Sequence, residues 1–241
     1  MNTTKTPRAV KGINKCVRVP AGDVFLLGDL QVPGVSSALV LFAYCSGRSR
    51  NNPRHRHVAQ VMRAKGISTL MCDLMTEEEE IDDEATGRFR NDAEFLAKRL
   101  VQVTDWALAQ PETKDLRIGY FGACSGGAAV IIAAARMKDK VGAVVSRGGR
   151  MDLATKALPR VKCPTLMIVG TEDTVGMELN REALVRLTCT KELVEVAGAS
   201  HLFGEPGKVE EMAELSAAWF HKHLCGGGKP PDTRCAESYS K

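Results

Sequence analysis

"GYFGACSGGAA" (119–129) runs from an apolar segment through a glycine turn into a row of small residues. The preceding "LRIGYFG" (116–122) reads as a buried strand, and "GGAAVIIAAARM" (126–137) as a helix of small, apolar residues. Their junction has the form glycine, any residue, nucleophile, any residue, glycine on a strand–turn–helix. Gly122, Cys124 and Gly126 satisfy that form with Cys124 in the central slot. Glycines are expected there because so sharp a turn brings helix and strand too close for side chains. Ser125 competes for the slot. Centring on it puts Ala123 and Gly127 at the flanks, and alanine can replace the first glycine in some turns of this kind. Gly122 and the pair Gly126–Gly127 favour Cys124. Ser125 is then left to offer its backbone N–H to an oxyanion. A helix that starts here also favours a thiolate through its dipole. A lone cysteine in a tight turn is more simply a small buried residue, so the reading depends on what lies elsewhere in the chain.

Outward from this turn, strand-like and helix-like segments alternate. "SALVLFAY" (37–44), "ISTLMCDL" (67–74), "VGAVVSRG" (141–148), "PTLMIVG" (164–170) and "KELVEVAG" (191–198) read as strands. "RHVAQVMRAKG" (56–66), "FRNDAEFLAKRLVQVTDWALAQ" (89–110), "ELNREALVRL" (178–187) and "VEEMAELSAAWFHKHL" (209–224) read as helices. "KCVRVPAGDVFLLGDLQVP" (15–33) reads as an antiparallel hairpin, and the acidic "TEEEEIDDE" (76–84) as a solvated loop. A hairpin followed by β–α units predicts an α/β fold: a mostly parallel central sheet with helices on both faces. The expected organisation is an N-terminal extension (1–14), one domain (15–224) and a disordered tail (225–241) rich in Gly, Pro and polar residues.

Composition narrows the classes. With 241 residues, 44% hydrophobic and 26% charged, the chain is the size and make-up of one globular domain. A net charge of +4 is too mild to argue for nucleic acid or membrane. The start "MNTTKTPRAV" lacks a signal-peptide core, and no apolar run reaches transmembrane length. None of the eight cysteines forms a C-x-x-C pair, so no zinc or dithiol signature is present. Free cysteines and a cytoplasmic location are the expectation.

An acid and a base complete the pattern at Cys124. "TEDTVG" places Asp173 just past the strand 164–170, with Glu172 as a neighbouring alternative. "ASHLF" places His201 past the strand 191–198. Of five histidines only His201 follows a strand; His55 and His57 sit at a basic helix entrance, His221 and His223 in the last helix. Alone, Asp173 could cap a helix and His201 could be an ordinary loop residue. Together the order Cys124, Asp173, His201, each beyond a strand's carboxyl end, is that of alpha/beta-hydrolase triads.

On "GYFGACSGGAA", "SRGGRMDLA" (146–154), "PTLMIVGTED" (164–173) and "GASHLFGEPG" (198–207), residues 15 to 224 resemble the dienelactone hydrolase branch of the alpha/beta-hydrolase superfamily. The same blocks resemble a bacterial group of hydrolase-like proteins sometimes fused to phosphoribosyltransferase domains. Serine usually occupies the Cys124 slot in that group, whereas dienelactone hydrolases use cysteine. The resemblance implies the alpha/beta-hydrolase fold. One departure concerns the loop "AYCSGRSRNNPR" (43–54): many relatives carry a His-Gly pair where this chain has Tyr44 and Cys45. Ser46 would then offer the second oxyanion N–H, beside that of Ser125.

Basic residues cluster at the same predicted strand ends: Arg48, Arg50, Arg54 and Arg56 after one, Arg147 and Arg150 after another. Arg48, Arg54 and Arg147 are the candidates for holding a substrate carboxylate or phosphate. A solvated loop, or pairing with the acidic run, is the plainer role. The single "RGG", without interleaved aromatics, does not read as RNA-binding. The expected activity is hydrolysis of a small ester or lactone, an anionic one if these arginines bind it, through a thioester to Cys124, with no metal or organic cofactor. An acyltransferase on the same triad, or a non-catalytic binding or regulatory protein, are the alternatives. The expected partner is the small molecule alone, the protein being a monomer or homodimer.

Overall fold

The computed structural model describes residues 12–45 and 49–226. Among the described residues eight strands form one sheet: β1 (Ile13–Ala21), β2 (Val24–Val32), β3 (Ala38–Ala43), β4 (Ser68–Cys72), β5 (Arg117–Ala123), β6 (Val141–Arg147), β7 (Thr165–Gly170) and β8 (Lys191–Val196). Their spatial order is β1-β2-β4-β3-β5-β6-β7-β8. β1 and β2 form the hairpin, closed by a two-residue turn in which Gly22 takes φ 71°. β2 meets β4 antiparallel, and every pairing from β4 to β8 is parallel. The expected alpha/beta-hydrolase architecture is therefore present, with the first strand starting at Ile13.

Six α-helices occur among the described residues: α1 (Pro53–Ala64), α2 (Glu77–Thr86), α3 (Ala93–Ala109), α4 (Ser125–Met137), α5 (Thr174–Arg186) and α6 (Lys208–Leu224). Period-two alternation divides each central strand between two cores. Leu39, Leu41 and Ala43 of β3 join α3 and α4 in one cluster; Val40, Phe42 and Tyr44 join α1 and α6 in the other. A strand that reads as a continuous apolar run is thus buried on both faces. Strand order reverses between β3 and β5: β3 leads to β4 on one side, while β5 lies on the other. Such a switch point leaves a crevice beyond the carboxyl ends of the strands.

Two sequence expectations need correction. The acidic run is not a loop but α2, started by a capping box: Glu79 N–H donates to Thr76 Oγ1 at 3.2 Å, and Thr76 N–H donates to Glu79 Oε2 at 2.8 Å. Its acidic residues crowd the first turn, where the helix dipole favours negative charge. Gly87, at φ 64°, ends it. The helix expected from residue 89 begins only at Ala93, capped by Asp92. Phe89 and Arg90 form a turn instead, their N–H groups donating to buried Asp83 Oδ1 at 2.6 and 2.8 Å. The extension 1–14 lies outside the described residues as far as residue 11, and the expected tail lies outside them from residue 227 onward.

Candidate active site

The turn after β5 is as sharp as its glycines imply. Cys124 has φ 55° and ψ −125°, a conformation that costs a non-glycine residue free energy. A Cβ on Gly122 would fall 2.3 Å from the Gly126 carbonyl oxygen, and one on Gly126 would fall 2.2 Å from that of Ala43. On Gly127 it would fall 2.5 Å from Ser146 Oγ. Only glycine fits these three places, so α4 can press against β5, β3 and β6 and hold the turn.

That geometry separates the two candidate nucleophiles. Cys124 Sγ lies 3.1 Å from His201 Nε2. The Ser125 hydroxyl is buried and donates to the Arg90 carbonyl oxygen. As the first residue of α4, Ser125 still carries one of the N–H groups that a helix leaves without an internal partner.

His201 Nδ1 lies 2.6 Å from Asp173 Oδ2. Asp173 also caps α5, its Oδ1 accepting from Gly176 N–H at 3.0 Å. One carboxylate thus faces His201 and caps a helix at once. Glu172 is exposed and its carboxylate accepts from the Thr171 hydroxyl at 3.4 Å, so it is not the residue facing His201. His55 borders the cavity described below, but His57, His221 and His223 stand apart from the Cys124–His201–Asp173 line.

The arginines divide. Arg147, buried at the end of β6, donates through Nη1 to the His201 carbonyl oxygen at 2.8 Å and reaches Cys124 Sγ at 4.0 Å. Its guanidinium lies 5.6 Å from the Phe203 ring centroid, and its Nε has no hydrogen-bond partner among the described residues. Arg54 is exposed on α1 and donates to the Leu202 carbonyl oxygen at 3.4 Å. The Arg50 side chain is bound to Asp73 and that of Arg150 to Asp152, while the Arg150 backbone N–H donates to the Cys124 carbonyl oxygen at 3.0 Å. Ser46 and Arg48 lie outside the described residues.

Beside Cys124 opens a cavity of about 190 Å³, lined by Cys45, Tyr44, His55, Phe121, Arg54 and Arg147 among others. The rings of Tyr44 and His55 stack with centroids 3.4 Å apart and planes 7° from parallel. Burial pushes His55 down to about 4, and its Nδ1 lies 3.0 Å from the Ser49 carbonyl oxygen. A neutral, stacked imidazole, aromatic rings and two guanidinium groups therefore line the same cavity.

Charge at the turn is set by donors. A hydrogen bond from the Cys45 thiol holds Cys124 down to about 4 against its burial, helped by His201 and by the charge of Arg147. His201 is pushed up to about 9, first by its hydrogen bond with Cys124 and, against burial, by Asp173. Between those values the resting pair is thiolate and imidazolium. The sequence reading placed Tyr44 and Cys45 in the oxyanion loop but missed that Cys45 shares the cavity with Cys124, and it missed the Tyr44–His55 stack. The parallel pairing of β3 with β5, which sets Ala43 opposite Gly122, is the signal that could have located Cys45 beside the nucleophile turn.

The dienelactone hydrolase family model matches residues 34–221. The chain belongs to the dienelactone hydrolase family. A crystal structure of dienelactone hydrolase from Anabaena variabilis is 47% identical to this chain, covering 88% of it and 99% of its own length at a TM-score of 0.86. The esterase Est1E from Butyrivibrio proteoclasticus, at 13% identity and a TM-score of 0.71 over 85% of this chain and 97% of its own, shares the fold. Two Mycobacterium tuberculosis proteins, provisionally named phosphoribosyl transferases, are 47% identical over 212 residues, 88% of this chain. The chain spans about half the length of these curated relatives, the match covering 47% of each. No helix among the described residues is long and apolar enough to cross a membrane.

Proposed function

We propose that this protein hydrolyses a small ester or lactone through a thioester on Cys124. One observation carries the reading: a cysteine held at φ 55° lies 3.1 Å from an imidazole that is itself 2.6 Å from a carboxylate. In this mechanism the Cys124 thiolate attacks the substrate carbonyl carbon. The oxyanion is held by the N–H of Ser125 and by the backbone at Ser46. The His201 imidazolium gives its proton to the departing alkoxide, leaving the acyl group on sulfur. Neutral His201 then takes a proton from water, which attacks the thioester and returns the thiolate. Asp173 keeps Nδ1 protonated and stabilises the imidazolium each time it forms.

A thiolate this weakly basic favours substrates whose leaving group departs readily, such as lactones, activated esters and thioesters. Arg147 and Arg54, at the cavity wall, support an anionic substrate, with Arg48 as a third candidate. The name of the longer relatives is not carried over, because the match covers only 47% of each of them.

The test is hydrolysis of short activated esters and simple lactones by the wild type, Cys124→Ala and Ser125→Ala. Loss in Cys124→Ala with survival in Ser125→Ala is expected. The reverse pattern overturns the assignment of the nucleophile. A wild type silent on every ester and lactone, yet binding a small molecule tightly, would favour a non-catalytic role. Transfer to an added alcohol or thiol in preference to water would make it an acyltransferase.

A further inference from the structure

Hydrolysis uses one sulfur, and the cavity wall carries two. Cys45 follows β3 and Cys124 follows β5. These strands run parallel with Ala43 opposite Gly122. Continuing that register brings Cys45 opposite Cys124. Neighbouring strands lie about 4.8 Å apart, within the roughly 4.4–6.8 Å between Cα atoms that a disulfide spans. The closeness of the two chains here has a separate sign: a Cβ on Gly126 would fall 3.1 Å from Tyr44 Cα. Both thiols are free, half-buried and open to the same cavity.

We propose that Cys124 and Cys45 are a redox modification site, joined in a reversible disulfide when a hydroperoxide enters the cavity. The proposal rests on the reading of Cys124 as a thiolate. The thiolate attacks one peroxide oxygen; the S–O bond forms, the O–O bond breaks, and the other oxygen leaves as hydroxide or alkoxide, taking a proton. Sulfur loses two electrons and the peroxide gains them. The Cys45 sulfur then attacks the resulting sulfenic acid. The S–S bond forms, the S–O bond breaks, and hydroxide leaves with the Cys45 proton as water. The donor pattern sets the order of events. Cys45 is pushed up because it donates to Cys124, and Cys124 is held down by the same bond, so Cys124 is oxidised first. Oxidation removes the negative sulfur and with it the main reason for Cys45 to stay protonated.

A second pair supplies an internal control. Cys163 and Cys189 are also neighbours, but burial pushes Cys163 up to about 12, which leaves it a poor nucleophile. The experiment treats the full, reduced chain with equimolar hydrogen peroxide. It follows intact mass, a non-reducing peptide map and ester hydrolysis before and after dithiothreitol. Expected are a mass lower by two hydrogens, a linked Cys45–Cys124 peptide, and hydrolysis lost in step with the link and restored by dithiothreitol. Cys45→Ser, and Cys45→Ala as a repeat, should instead gain oxygen on Cys124 that dithiothreitol does not remove once sulfinic acid forms. Oxygen added at Cys124 of the wild type with Cys45 still free, or a disulfide confined to Cys163 and Cys189, overturns the proposal. Because mass and map need no turnover, a Cys45–Cys124 link in a chain without esterase activity would sink the hydrolase reading alone.

Discussion

Two pairs of neighbouring thiols stand at opposite ends of the same parallel sheet. Cys45 and Cys124 follow strands β3 and β5, at the carboxyl end. Cys163 and Cys189 precede β7 and β8, at the amino end. Both pairs lose water, yet Cys163 is pushed up to about 12 by burial while Cys124 is held down to about 4. Residue type and depth do not explain the difference. At the carboxyl end a strained turn aims the sulfur at a histidine, a second thiol donates to it, and a buried arginine lies 4.0 Å away. At the amino end a backbone hydrogen bond at Cys163 works against desolvation but is outweighed, and the neighbouring Cys189 adds to the rise. Desolvation wins where little opposes it and loses where several donors converge.

The comparison can be broken most sharply by removing one thiol from each end. Cys124→Ala should lower ester hydrolysis by on the order of a thousandfold or more, measured as kcat/KM. Cys163→Ser should leave kcat/KM within about twofold and lower stability by about 1–2 kcal/mol, because the new hydroxyl must be buried; chemical denaturation would read it. Next in size is Asp173→Asn. An asparagine still caps α5, so the melting temperature should scarcely move, while kcat falls by on the order of a hundredfold to ten-thousandfold. Comparable losses of both would tie Asp173 to structure alone.

The pH profile sharpens the contrast without mutation. kcat/KM should rise with pH as Cys124 loses its proton near about 4, since the thiolate attacks. It should fall as His201 loses its proton near about 9, since the imidazolium protonates the leaving group. Iodoacetamide at mildly acidic pH should label Cys124 and spare Cys163, read by peptide mass. Equal labelling would erase the distinction between the two ends. The smallest effect is expected away from both: Thr76→Ala should cost about 1 kcal/mol by removing half of the α2 capping box, with hydrolysis unchanged.

The sequence made the sheet and the Cys124–Asp173–His201 line readable for a common reason. Each depends on local pattern: apolar runs that end in turns, and functional residues placed one after each strand. The glycines were readable too, since each answers to a close approach within one strand–turn–helix unit. Cys45 was not, because its meeting with Cys124 arises from strands far apart in the chain that the parallel register sets side by side. α2 was misread because the weight of acidic composition hid the Thr76–Glu79 capping box, a local signal that was there to be used. Arg147 was seen as a substrate ligand. Its bond to the His201 backbone shows that it also holds the segment carrying the base.

Asp173 gives one carboxylate oxygen to the start of a helix and the other to the imidazole. The carboxylate is therefore already oriented toward the imidazole by the helix that it caps. The same economy makes the first turn of α5 a point of failure. When that turn frays, the capping bond and the orientation of His201 go together, while the sheet beneath stays intact. Heat should silence such a protein before it unfolds it, and the gap between those two temperatures is a measure of how much of the catalytic geometry is held by one helix end.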